Sequence, residues 1–392
     1  MSKDKKMSKD NKTILILGGG VGGLVTAVEL RKKLSKQHRI VLVDRERTHL
    51  FAPSLLWLMT GLRSAESISQ PLDRLRKKGI EVITGEIESI DPATRRVVLG
   101  GQPLEADFLV VALGAELAPE RIAGLAEAGH SFYTLAGAES LRGALKDFRS
   151  GRIVVLTAAA AYKCPAAPYE AAMLLEYDCR KRKVRDQVQV DLYTAEPGPM
   201  GVTGPEFSAG VRQMVEGKGV TYHPSQQVTK VDPAARRIHF ENHPEANFDL
   251  LAYVPPHRAP TAVREAGLVG ESGWVPVDRY TLETRFGQVY ALGDVVGIPL
   301  TLGKPLPKAG TFAHSQALVV AQNIALAIEG KGKSASFDGH GECFIELGDG
   351  KAALGRGNFY AEPTPEVKAY KPGRHWHAGK VLFEKDWLRR WF

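Results

Sequence analysis

The segment TILILGGGVGGLVTAVEL (13–30) decides how this chain folds. Thr13–Leu17 is a continuous apolar run of strand length. It runs into Gly18-Gly19-Gly20-Val21-Gly22-Gly23, which fits G-x-G-x-x-G at Gly18, Gly20 and Gly23, with Gly22 inside the same turn. A helical pattern follows over 24–34. The next strand pattern, 39–43, ends in Asp44, 21 residues past Gly23. Strand, glycine turn, helix, strand and acid in this order form a dinucleotide-binding unit. The glycines let the backbone approach a pyrophosphate, and the acid accepts from a ribose hydroxyl.

A second unit of this kind is predicted at 151–177, GRIVVLTAAAAYKCPAAPYEAAMLLEY, read as strand, turn and helix. Its turn has no glycines. Four alanines (158–161), Tyr162, Lys163, Cys164 and Pro165 stand there instead. Side chains crowd a phosphate, and a proline at the helix entrance withdraws a donor. A cysteine at a helix N-terminus is expected to have a lowered pKa, with Lys163 adding to the effect. One of two nucleotide sites is thus expected to have been exchanged for thiol chemistry.

The chain has 392 residues, 44% hydrophobic and 24% charged, enough for two or three domains with a sizeable core. No run of about 18 apolar residues is read in it, so no membrane span is expected. The first twelve residues, MSKDKKMSKDNK, read as a polar disordered tail and not as a signal peptide. The net charge of +8 sits at the ends: 1–12 carries +3, 368–392 carries +5, and 13–367 is neutral. A nucleic-acid partner, which needs a basic face on the folded body, is not expected. Three cysteines, Cys164, Cys179 and Cys343, form no C-x-x-C or Cys/His ligand spacing, so neither a disulfide framework nor a metal site is expected.

Two later segments bear on the choice of nucleotide. ADFLVVALG (106–114) is a strand ending in a small-residue turn at Ala112 and Gly114. QVYALGD (288–294) ends in Gly293-Asp294, an acid suited to a ribityl hydroxyl. The helix predicted over 310–329 opens with Lys308-Ala309-Gly310. Its positive end and Lys308 suit the edge of a flavin that gains negative charge on reduction.

Taken with FAPSLLWLMTG, FLVVALGAE, YKCPAAPYE, YVPPHRAP, LPKAGTFAHSQALVVAQNI, GECFIELGDGKA and KVLFEKDWLRRW, these motifs make the chain resemble a flavoprotein family from 13 to 392. That family is the sulfide:quinone oxidoreductases and the flavin subunit of flavocytochrome c sulfide dehydrogenase. They sit within the two-dinucleotide-domain disulfide reductase superfamily. The resemblance implies an α/β fold of two Rossmann-like dinucleotide-binding domains plus a C-terminal segment with an amphipathic, membrane-associating helix. It divides the chain into an FAD domain (13–116 and 276–330), a second domain without a normal NAD loop (117–275) and a quinone- and membrane-interacting region (331–392).

The resemblance further implies that Cys164 and Cys343 are a redox pair beside the flavin. Sulfide opens their disulfide, or a sulfur-bridged form of it, and electrons pass through the flavin to a membrane quinone. Glu170 fits the family's proton-handling carboxylate, and Phe344 an aromatic that sandwiches the quinone ring. Cys179 reads as structural. No cysteine stands near 49–53, so FAD is expected to be noncovalent. The chain also departs from the family. Many members carry a third active cysteine in the segment aligned with 130–139, where Tyr133 stands here. Many also carry a histidine in the segment aligned with 193–201, which has none here.

In 376–392 (WHAGKVLFEKDWLRRWF), Phe383, Trp387, Trp391, Leu388, Val381 and Phe392 share half of a helical wheel. Lys385, Asp386, Arg389 and Arg390 share the other, while Leu382, Glu384 and Lys380 are exceptions. This predicts an interfacial helix at the cytoplasmic face of a membrane. Expected partners are sulfide, quinone and the membrane surface, with a homo-oligomer left open. The competing readings are a type II NADH:quinone oxidoreductase, a flavocytochrome-type dehydrogenase and a non-catalytic flavin sensor.

Overall fold

The computed structural model describes residues 11–392, so most of the expected tail lies outside the described residues. Lys12 does not belong to a tail: its ammonium pairs with Asp107 at 3.1 Å. Thr13–Leu17 is the central strand of a five-stranded parallel sheet. Its neighbours are Arg39–Asp44 and Phe108–Val111, and Glu81–Thr84 and Val289–Ala291 are the edges. The inner strands are apolar without alternation because both of their faces are buried. The helix Val21–Lys33 begins directly at the glycine turn, and it packs on the long helix Gly310–Ile328.

The second domain repeats the plan. Gly151–Thr157 lies between Leu250–Val254 and Val188–Thr194, with His130–Ser131 and Thr221–His223 outside. In each domain a three-stranded antiparallel meander stands between an edge strand, Glu81–Thr84 or Thr221–His223, and the strand that returns to the sheet: 87–105 in the first, 228–247 in the second. The chain ends in a third layer, the antiparallel strands His340–Gly348, Lys351–Asn358 and Glu366–Gly373, followed by the helix Arg374–Arg390.

Two expectations change here. Gly310–Ile328 is long and apolar enough to cross a membrane by length and composition, although the sequence reading found no such run. His314, Gln316 and Asn323 interrupt its apolar pattern without adding formal charge, and more than half of it is buried, as in a core helix. The C-terminal helix differs more. Its aromatic face is docked on the body: Trp387 and Trp391 are 4% exposed, and Trp387 Nε1 donates to His49 Nε2 at 3.0 Å. His49 Nδ1 faces the Gly19 carbonyl at 2.9 Å, so the histidine ties this helix to the first glycine turn. The apolar side chains left on the outside are Leu382 and Phe383, at 66% and 47% exposed.

Candidate active site

The first glycine turn is shaped from both sides. A Cβ on Gly18 would collide with the Ala112 carbonyl, one on Gly23 with the Gly18 carbonyl, and one on Gly22 with the Leu292 side chain. Gly20 and Gly114 face open space. The helices starting at Val21 and Gly310 have no side-chain cap, and they begin next to each other. A Cβ on Gly310 would lie 3.8 Å from Val21 Cγ2. Two uncapped helix N-termini above an open glycine cradle fit the pyrophosphate of a dinucleotide. Asp44 lies at the rim, its carboxylate accepting from the Gly19 and Glu46 amides. Gly293 donates to Gln316 Oε1 at 2.8 Å, which holds Asp294 at the head of the Gly310 helix.

Lys308 is held by the turn that precedes the Gly310 helix. Its ammonium donates to the Asp294 and Val296 carbonyls at 2.7 and 2.8 Å and lies 3.5 Å from the centre of the Trp274 ring. Burial pulls it down to about 8. It braces the turn. Beside it, the buried His257 ring is pulled down to about 3, chiefly by burial and by the charge of Lys163. Its Nε2 has no hydrogen-bond partner among the described residues.

The cysteine turn is fastened to this cradle. The Cys164 amide donates to the Lys308 carbonyl at 2.7 Å. The Tyr133 hydroxyl lies 2.9 and 3.2 Å from the Lys163 and Cys164 carbonyls. Tyr133 thus clamps the turn that bears Cys164. Cys164 adopts φ +51°, a left-handed conformation rare outside glycine, which sets it apart as a constrained position.

Cys164 and Cys343 pack against one apolar cluster, and the charge of a Cys164 thiolate is felt at Cys343. The structure thus brings together two cysteines 179 residues apart. Cys179 is fully buried, away from the turn, near the end of its helix.

The expected low pKa of Cys164 is reversed. The helix begins at Ala167, three residues beyond Cys164. Burial and the nearby Glu170 carboxylate push the thiol up to about 12, against a smaller opposing pull from Lys380. Burial raises Cys343 well above the ordinary thiol range too. Alkylation of Cys164 in the reduced protein should therefore climb about tenfold per pH unit through pH 9 without levelling. A plateau near neutral pH in an iodoacetamide rate profile would contradict this.

Glu170 is a buried side chain, held from two directions. Lys380 Nζ donates to its Oε1 at 2.7 Å, and the Glu346 amide donates to the same atom at 2.8 Å. Lys380 also lies 4.9 Å from the Trp57 ring centre. Glu346 is buried, raised by desolvation, and joined to His377 Nδ1 at 3.0 Å. Sequence reasoning missed Lys380, Glu346 and His377. The available signal was on the helical wheel: Lys380 and Glu384 broke the apolar pattern because each is a buried charge with a partner. Glu384 is held by Arg63 at 2.8 Å and by Ser54. Phe344 borders the same helix, its ring 3.7 Å from where a Cβ on Gly379 would stand.

The second nucleotide site is filled from within. Glu196 follows the strand Val188–Thr194, the place that Asp44 holds in the first domain. Its Oε2 accepts from the Tyr162 hydroxyl at 2.5 Å and from Tyr169 at 3.1 Å. Tyr162, from the glycine-free turn, occupies the acid that would bind a ribose.

Residues 12–317 match the model of the pyridine nucleotide-disulphide oxidoreductases, and the chain belongs to that family. It is similar to the mitochondrial sulfide:quinone oxidoreductase of Schizosaccharomyces pombe, at 27% identity over 89% of this chain and 81% of the relative. It is also similar to the sulfide-quinone reductase of Aquifex aeolicus, at 28% identity over 96% and 90%. The solved structure of the sulfide:quinone oxidoreductase from Aquifex aeolicus superposes with a TM-score of 0.89, covering 97% of this chain and 91% of that one at 27% identity. The resemblance read from the motifs holds over nearly the whole chain.

Proposed function

We propose that this protein is a flavin-dependent oxidase of sulfide that delivers the electrons to a membrane quinone, with Cys164 and Cys343 as its sulfur-handling pair. The observation that carries this reading is the bond from the Cys164 amide to the Lys308 carbonyl, which seats the cysteine at the head of the Gly310 helix with Cys343 in the same apolar cluster. A bound FAD supplies the two-electron carrier between sulfur and quinone. Gly20, Gly114, Asp44 and the two uncapped helix N-termini would hold it. With no cysteine at 49–53, it is held noncovalently.

Hydrosulfide attacks the Cys164–Cys343 disulfide. The S–S bond breaks, one cysteine becomes a persulfide and the other leaves as a thiolate. Burial makes that thiolate scarce but strongly nucleophilic, because nucleophilicity rises with thiol pKa. Lys380 steadies the negative charge, and Glu170, held by Lys380, is the carboxylate placed to take up a sulfide proton. Phe344 beside Gly379 is the contact proposed for the quinone ring. Leu382 and Phe383 touch the bilayer surface, and the basic C-terminal segment suits its anionic cytoplasmic leaflet. Steady-state reduction of decylubiquinone that depends on sulfide tests the reading; a protein with bound flavin and no such turnover would overturn it.

The internal occupancy of Glu196 by Tyr162 and Tyr169 argues against NADH as the donor. Stopped-flow mixing with NADH is expected to leave the flavin oxidised on the timescale in which sulfide reduces it. Rapid reduction by NADH would reverse the choice.

A further inference from the structure

An open groove of about 1010 Å³ runs between the C-terminal helix and the segment 62–78. Its floor is apolar: Val381, Leu388 and Phe392 come from the helix, and Leu62 from the opposite side. Its rim is basic. Arg74, Lys77 and Lys78 line one wall and Lys385 the other, and none of the four makes an ion pair among the described residues. The acid on the lining, Glu384, is already held by Arg63 and Ser54. Four cations without carboxylate partners around an apolar trough are complementary to an anion that carries hydrocarbon. A neutral quinone would leave the rim charges unmatched. The rim also continues onto the exposed apolar pair: Leu382, Lys385 and Arg389 recur at helical spacing on the outer face.

We infer that this groove binds an acidic phospholipid of the bilayer surface, with the phosphate between Lys77, Lys78 and Lys385 and an acyl chain along Val381 and Leu388. The inference rests on the membrane contact proposed for Leu382 and Phe383, and it specifies the lipid class that this contact selects.

Flotation of the FAD-loaded protein with two kinds of vesicle tests it: phosphatidylcholine alone, and phosphatidylcholine with phosphatidylglycerol. The wild-type chain is expected to bind the anionic vesicles at least about tenfold more tightly. Lys77→Glu/Lys78→Glu should lose most of that preference and keep the binding to neutral vesicles. Lys385→Glu, on the other wall, should do the same independently. Leu382→Ser/Phe383→Ser should weaken binding to both. Unchanged flavin spectra and sulfide-dependent reduction in the charge variants exclude misfolding. Equal wild-type binding to both vesicles, or full anionic preference in both charge variants, overturns the groove and leaves the membrane contact standing. Binding to neither vesicle overturns both. Displacement by inorganic phosphate beyond that by chloride at matched ionic strength would mark a free-anion site and overturn the lipid assignment.

Discussion

Cys164→Ser and Cys343→Ser are each expected to lower sulfide-dependent flavin reduction by at least about a thousandfold while the protein retains its FAD. The two losses should be equal in kind because the proposed step needs both sulfurs. One receives the incoming sulfur and the other leaves, so a single thiol has no S–S bond for hydrosulfide to break. The combined variant should be no worse than either alone, as for groups that act as a unit. Retention of FAD follows from the layout. The cradle is formed by the turn at Gly18–Gly23 and the helix heads at Val21 and Gly310, whereas Cys164 touches it through its backbone amide, which serine keeps. Cys179→Ser, at a buried site beside Arg182, is the contrasting control and should leave sulfide-dependent reduction within about twofold of wild type. Rapid anaerobic mixing with sulfide measures all three. If Cys343→Ser reduced its flavin as wild type does, the paired role would be lost, and a flavin sensor with inert cysteines would be favoured.

Lys380→Met should be the most damaging change outside the cysteines. Lys380 is 5% and Glu170 3% exposed at their side chains, and removing the cation leaves the Glu170 carboxylate with the Glu346 amide as its donor. Stranding one partner of a buried pair costs about 3–5 kcal/mol. The same variant removes the cation that pulls both cysteine thiols down, so both should titrate still higher and alkylate more slowly at a given pH. Lys380→Met/Glu170→Gln removes both charges and should recover much of the stability without recovering sulfide turnover. Urea unfolding of the three proteins measures the first effect, and a loss below about 1 kcal/mol for Lys380→Met would contradict the buried pair.

How much of this was readable in advance depended on distance along the chain. The first nucleotide unit is local: strand, turn, helix and acid lie within 13–44, and each has its own pattern. The repeat at 151–177 was equally local, and its missing glycines already excluded an ordinary phosphate turn. The lowered pKa expected of Cys164 needs the helix to start at the cysteine. It starts at Ala167, and burial with Glu170 outweighs any field from the helix end. Glu170 and Lys380 are 210 residues apart, and nothing in either segment announces the other. The C-terminal helix shows a different limit. An apolar stripe reports that a face is covered but not by what, and here the body covers Trp387 and Trp391, leaving Leu382 and Phe383 outside. Lys380 and Glu384, the exceptions on that wheel, were the trace of the charge network beneath it.

Sulfide, handled by Cys164 and Cys343, is the proposed electron source for the flavin. An anaerobic titration followed in the flavin's visible absorption tests it most directly. The protein is predicted to bleach as sulfide is added and to regain its colour with decylubiquinone, whereas a spectrum that stays oxidised through excess sulfide would contradict the claim.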